Sequence, residues 1–138
     1  MAAHVVPGAG YNNGAGFPSA MITLGIEGTA HTLGVGIVDS ECNVYANELD
    51  MFKPKEGGLH PREVANHHAD VVARVISGAL DKAGMDLKDI DLVSFSMGPG
   101  LGPCLRVAAT AARALSSYLS VPIIGVNHCI AHIEIGRA

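Results

Sequence analysis

No run of apolar residues approaches the roughly 18–20 needed to cross a bilayer, which excludes a helical membrane span. The N-terminus lacks a basic start followed by an apolar block, which argues against secretion. Cysteine is scarce: Cys42, Cys104 and Cys129 are the only three, and no CxxC pair occurs. An odd, scattered set is not a disulfide framework, and it fits a reducing cytoplasm. Basic residues are also few, 9 Lys and Arg against 13 Asp and Glu, for a net charge of −4. Such a chain is not by itself an electrostatically driven nucleic-acid binder, although it can join an RNA site that other chains make basic. What is present is globular in character: 49% apolar residues, 16% charged and a mean hydropathy of +0.31 over 138 residues, enough for one domain.

Residues 1–20 stand apart, with four glycines, two prolines, no charge and no periodicity. They read as a flexible leader, and Met21 as the better beginning of the folded part, residues 21–138. Ile22–Glu27 and Leu33–Asp39 are short apolar runs, and Asn43–Phe52 alternates like a half-exposed strand. Their short links predict a three-strand antiparallel meander. Pro61 then opens a helix of about 20 residues, on which Val64, His68, Val71, Val72, Val75, Ile76, Ala79 and Leu80 recur at three- and four-residue steps until Gly84. Leu92–Met97 is a buried-type strand and Gly98–Gly102 a turn. An alanine-rich helix follows over Pro103–Leu119, a strand over Val121–Val126 and a third helix over Asn127–Ile135. The order β-β-β-α-β-α-β-α predicts an α/β ribonuclease-H-like lobe, the unit that is doubled in actin-like ATPases. The length allows one such lobe.

Chemistry-bearing residues fall in four places. His128 and His132 are spaced i and i+4, so both rings face one side of a helix about 6 Å apart at Cβ and can share one divalent metal. Two ligands do not complete a site, and Glu134 points to another face. Ser96, Gly98, Pro99 and Gly100 lie at a strand-to-helix junction, where glycines let the backbone approach a ligand and the helix N-terminus suits phosphate or carboxylate. An unliganded tight turn explains the same residues equally well. Glu27, Thr29 and Thr32 sit in the first hairpin, where the threonines can donate to phosphate, although hairpins also use Gly and Thr for turn reasons. His67 and His68 lie in the long helix. His68 is on the apolar stripe as a satisfied core or interface histidine, and Asn66 and His67 point to the other side. Cys104 and Cys129 read as small buried apolar residues, not nucleophiles.

Four segments, GIEGTAHTLGVGIVD (25–39), HPREVANHHADVV (60–72), SMGPGLGPCLRVA (96–108) and VNHCIAHIEIGR (126–137), together resemble the archaeal and eukaryotic form of the TsaD family. That family is the catalytic subunit of the KEOPS complex, formerly labelled O-sialoglycoprotein endopeptidase. The resemblance covers residues 21–137. It implies an actin-like ATPase fold and the transfer of a threonylcarbamoyl group from threonylcarbamoyl-adenylate to N6 of the tRNA adenosine beside the anticodon. It assigns one iron or zinc ion to His128 and His132, with an aspartate of a second lobe as a further ligand. The adenylate (an ATP-type ligand) falls to Thr29, Thr32, Ser96, Gly98, Pro99 and Gly100, and Glu27 becomes the candidate proton acceptor. It also implies KEOPS-type partners in the cytoplasm, with a small dimer-forming subunit on helices 61–83 and 103–119, and tRNA reached through the assembled complex.

A single lobe with two metal ligands is expected to be inactive alone and to hold metal weakly. The alternative is a non-catalytic actin-like lobe used for nucleotide binding or assembly, against which the HxxxH pair argues. A metalloendopeptidase would need the HExxH glutamate, and Cys129 stands in its place. A ribonuclease-H-type nuclease would need several carboxylates at strand ends, where only Glu27 is well placed.

Overall fold

A computed structural model describes residues 20–54 and 56–135, so the leader assigned to residues 1–20 lies outside the described residues apart from Ala20. Three strands come first: β1 (Ile22–Glu27), β2 (Thr32–Asp39) and β3 (Val44–Met51). They are followed by α1 (Pro61–Ala83), a 3₁₀ turn at Leu87–Asp89, β4 (Leu92–Gly98), α2 (Gly102–Leu119), β5 (Ile123–Asn127) and α3 (His128–Ile135). The 3₁₀ turn is an addition to the expected order. Asp86 and Asp89 form a reciprocal capping box across it, so local side-chain bonds, not an apolar pattern, specify this element.

The five strands lie in the order β3-β2-β1-β4-β5. β1–β2 and β2–β3 are antiparallel, the expected meander, and β1–β4 and β4–β5 are parallel. Period-2 alternation puts Leu24, Ile26, Leu33, Val35, Ile37 and Val93 on one face, where they meet Val75, Ile76, Ala79 and Leu80 of α1 and Ala108 and Ala112 of α2. Burying each large aliphatic side chain there stabilises the fold by about 1.5–3 kcal/mol. The fully buried residues of α2 are Cys104, Ala108 and Ala112, one per turn and all small. A small-residue stripe lets that helix settle close to the hairpin: a Cβ at Gly28 would lie 3.2 Å from the Ala108 Cβ.

Several boundaries differ from the sequence expectation, for local reasons. β5 begins at Ile123 because Val121 and Pro122 close the preceding turn. The Val121 N–H donates to the Ser116 carbonyl (3.1 Å), the Ser116 hydroxyl donates back to the Val121 carbonyl (2.6 Å), and Pro122 has only a carbonyl to offer, taken by the Val93 N–H (3.0 Å). Asn127 ends β5 instead of opening α3. Its Oδ1 accepts the Cys129 and Ile130 N–H groups at 3.0 and 3.2 Å, an N-cap. Ser120 ends α2 in the left-handed region at φ 57°.

Candidate functional site

β1, β4 and β5 run parallel, so their carboxyl ends lie at one edge of the sheet, the position at which open α/β sheets place ligands. Three connections meet there: the β1–β2 hairpin, the β4–α2 turn and the β5–α3 junction. Asn127 sets the first turn of α3, and that cap aims His128 and His132 from its N-terminal end.

Thr29 is the hub. It is buried at 4% exposure. Its N–H donates to Glu27 Oε1 at 2.8 Å, and its hydroxyl donates to the same oxygen. Its carbonyl accepts the Leu101 N–H at 2.7 Å, tying the hairpin to the start of α2. On its far side the Thr29 hydroxyl oxygen lies 3.4 Å from His128 Nε2. His132 Nε2 is 3.2 Å from His128 Nε2, with ring centroids 4.6 Å apart and nearly perpendicular. His128 is half-buried and His132 exposed, so the pair opens outward.

The junction glycines serve this geometry directly. A Cβ on Gly100 would lie 2.6 Å from the Thr29 carbonyl oxygen and 2.8 Å from the Thr29 Cβ, so only glycine lets the turn sit on the hairpin. Gly98 has φ 134°, which side chains resist, and it precedes a cis bond to Pro99. The structure thus gathers Glu27, Thr29, Gly100, His128 and His132 at one place. Ser96 is buried within β4, and Thr32 starts β2 beyond the hairpin loop.

The imidazole pair passes a test of fit for a metal. Two nitrogens about 2.05 Å from a tetrahedral ion stand about 3.3 Å apart, and the observed separation is 3.2 Å. Among the described residues no group of three or more His, Cys, Asp and Glu side chains converges, so two ligands are the most these residues could offer an ion here.

Two expectations are corrected. Cys129 is exposed, because among the described residues nothing buries it, whereas Cys104 is buried and burial pushes its thiol pKa up. His67 does not point away: it is half-buried, with Nε2 2.8 Å from Asp50 Oδ1 on β3. Asp50 also accepts from Arg74, the main reason its carboxyl pKa is held low. His68 is the satisfied core histidine expected, fully buried, with Nε2 2.9 Å from the Ala30 carbonyl oxygen. The sequence reading missed the cap at Asn127 and the backbone clamp at Ala30. An Asn directly before an apolar helix could have disclosed the first. Nothing local discloses the second, because its partners are 38 residues apart.

A family model described as tRNA N6-adenosine threonylcarbamoyltransferase, TsaD, matches residues 42–138. A tRNA N6-adenosine threonylcarbamoyltransferase of Thermococcus kodakarensis is 58% identical over 117 residues, covering 85% of this chain and 36% of the relative. One of Ignicoccus hospitalis is 55% identical over 118 residues, covering 86% and 36%. The chain therefore spans about a third of the length of these relatives. Among solved structures, YeaZ from Pseudomonas aeruginosa superposes with a TM-score of 0.62 at 19% identity, over 78% of this chain and 43% of that one. T. thermophilus RuvC in complex with Holliday junction substrate gives 0.50 at 16% identity, over 79% and 66%. At such identities the likeness concerns the fold alone, and it is the expected ribonuclease-H-like, actin-like architecture. The extent of the family match and the identity to these archaeal relatives show that the chain belongs to the TsaD family of tRNA N6-adenosine threonylcarbamoyltransferases.

Proposed function

We propose that this chain is a first lobe of a tRNA N6-adenosine threonylcarbamoyltransferase, residues 21–138, whose site is completed by groups outside it. The observation that carries the proposal is the convergence of His128 Nε2, His132 Nε2 and the Thr29 hydroxyl at the carboxyl edge of the parallel strands. In this reading His128 and His132 hold a divalent ion, iron or zinc, and further ligands come from across the cleft. When bound, the ion polarises the carbamoyl carbonyl and offsets charge developing on its oxygen. The α2 N-terminus, reached through Gly98, Pro99 and Gly100, faces the phosphate of the adenylate, where free N–H groups and the positive end of the helix dipole favour an anion. Thr29 orients the substrate beside the imidazoles, with Ser96 and Thr32 supporting the two connections. Glu27 holds Thr29 through Oε1 and is the carboxylate to which the adenosine amine proton passes as AMP leaves.

In this reading the partner surface lies on the two long helices. Between α1 and α2 lies an apolar groove of about 360 Å³ lined by Ala69, Val72, Val107, Thr110, Ala111 and Ala114, with Arg106 at its rim. In this reading a small dimer-forming subunit docks there and the assembled complex brings tRNA, in the cytoplasm. Among the described residues no helix is long and apolar enough to cross a membrane. The test is His128→Ala in the complete enzyme with its partners. Threonylcarbamoylation of tRNA should fall at least about a hundred-fold with the fold intact, as for loss of a group that stabilises developing charge. Undiminished activity would remove the metal role.

A further inference from the structure

His68 is fully buried in α1, yet it is polar, and the site as described makes no use of it. Its Nε2 is 2.9 Å from the carbonyl oxygen of Ala30, the residue after Thr29. A carbonyl only accepts, so the proton must sit on Nε2. Its Nδ1 faces His67 Nδ1 at 3.4 Å, and His67 Nε2 in turn lies 2.8 Å from Asp50 Oδ1. A chain of contacts thus runs from a carboxylate on β3, through two neighbouring imidazoles on α1, to the backbone of the β1–β2 hairpin. The His68 ring also lies against Gly28, where an added Cβ would stand 3.5 Å from Cδ2. Burial, the main influence on His68, lowers its pKa and so favours the neutral ring with its single N–H.

We infer that His68 is a positioning residue for the site: packed beside His67, which Asp50 holds, it clamps the Ala30 carbonyl and so fixes the Thr29 hydroxyl beside His128. The hairpin loop has few other anchors. Thr29 is tied to Glu27 and to the Leu101 N–H, and the His31 carbonyl accepts the Phe52 N–H at 2.8 Å. Without the imidazole N–H, the Ala30 carbonyl would lose its side-chain partner, and the loop would open locally without requiring the sheet to open. The role rests on the reading of Thr29 and His128 as site residues, but its test does not depend on catalysis.

The experiment is amide hydrogen exchange by NMR on this chain, as wild type and as His68→Leu and His68→Gln, with a cobalt titration of each. In wild type the His68 ring nitrogens should report a protonated Nε2 and a bare Nδ1; the opposite tautomer overturns the inference without any variant. In His68→Leu, which keeps the volume and removes the donor, exchange at the Thr29 and Leu101 amides should rise about ten-fold or more while Leu24 and Val93 stay protected. His68→Gln, which restores an N–H, should bring protection back. A uniform rise across the sheet, or no rise at Thr29 and Leu101, would reduce His68 to core filling and reject the clamp. Cobalt that binds wild type without perturbing the His128 and His132 signals would count against the metal assignment and leave the exchange pattern to judge His68 alone.

Discussion

Gly100 shows how narrow the tolerance at this site is. The 2.6 Å approach of its missing Cβ to the Thr29 carbonyl leaves no room for a methyl group, and the obstructing atoms are backbone. Gly100→Ala should therefore destabilise the fold by about 1–3 kcal/mol, the usual cost of overpacking. It should also move Thr29 away from His128, to be read as a lower melting temperature together with weaker metal binding. An unchanged melting temperature would mean that the two connections are not in contact. Asp39 gives a prediction of another kind. Its carboxylate accepts the N–H groups of Glu41 and Asn43, the Asn43 side-chain amide and the Tyr45 hydroxyl, all within 2.9 Å. Its pKa is lowered to about 2, the Asn43 side chain being the largest cause. The folded-state value lies below the unfolded value of about 3.9, so its stabilisation is complete above that pH and is lost as pH falls toward 2. Asp39→Asn should flatten the acid limb of the stability curve between those values. An acid limb identical to wild type would show that the turn does not depend on this carboxylate.

At the scale of elements, α1 was plain in the sequence because its apolar residues recur at three and four, and α2 because it is rich in alanine. Gly84 ends α1 in the left-handed conformation, as its composition suggested. The strand meander was legible from short links alone. The ends of β5 and α3 were less so: Pro122 gives its carbonyl to Val93 on β4, a neighbour that only the fold brings near, and the local cap at Asn127 was missed. The same distinction governs the histidines. His128 and His132 could be paired from helical geometry, four residues apart. The turn of His67 toward Asp50 needed the packing of α1 against β3, which no local pattern contains. The groove between α1 and α2 is the element-scale feature with a direct test. Val72→Glu places a charge on its apolar wall and should weaken docking of the proposed small partner subunit about ten-fold or more, because an unpaired charge in an apolar contact is costly. Unchanged affinity, measured by calorimetry on a folded variant, would move the interface elsewhere.

For the molecule as a whole, the central claim is a division of labour. In the proposed reading one lobe presents two imidazoles and a threonine at the carboxyl edge of its sheet, and the remaining ligands of an ion would come from elsewhere. The two nitrogens stand 3.2 Å apart, a separation that a shared ion would also give, and among the described residues no third His, Cys, Asp or Glu joins them. The most direct test is metal stoichiometry and affinity, measured by elemental analysis and cobalt titration on this chain alone and on the complete enzyme. The account predicts about one tightly held ion per complete enzyme, weak uptake by this chain, and loss of both in His128→Ala and His132→Ala. Tight, stoichiometric metal in this chain alone, or uptake that survives both substitutions, would contradict it.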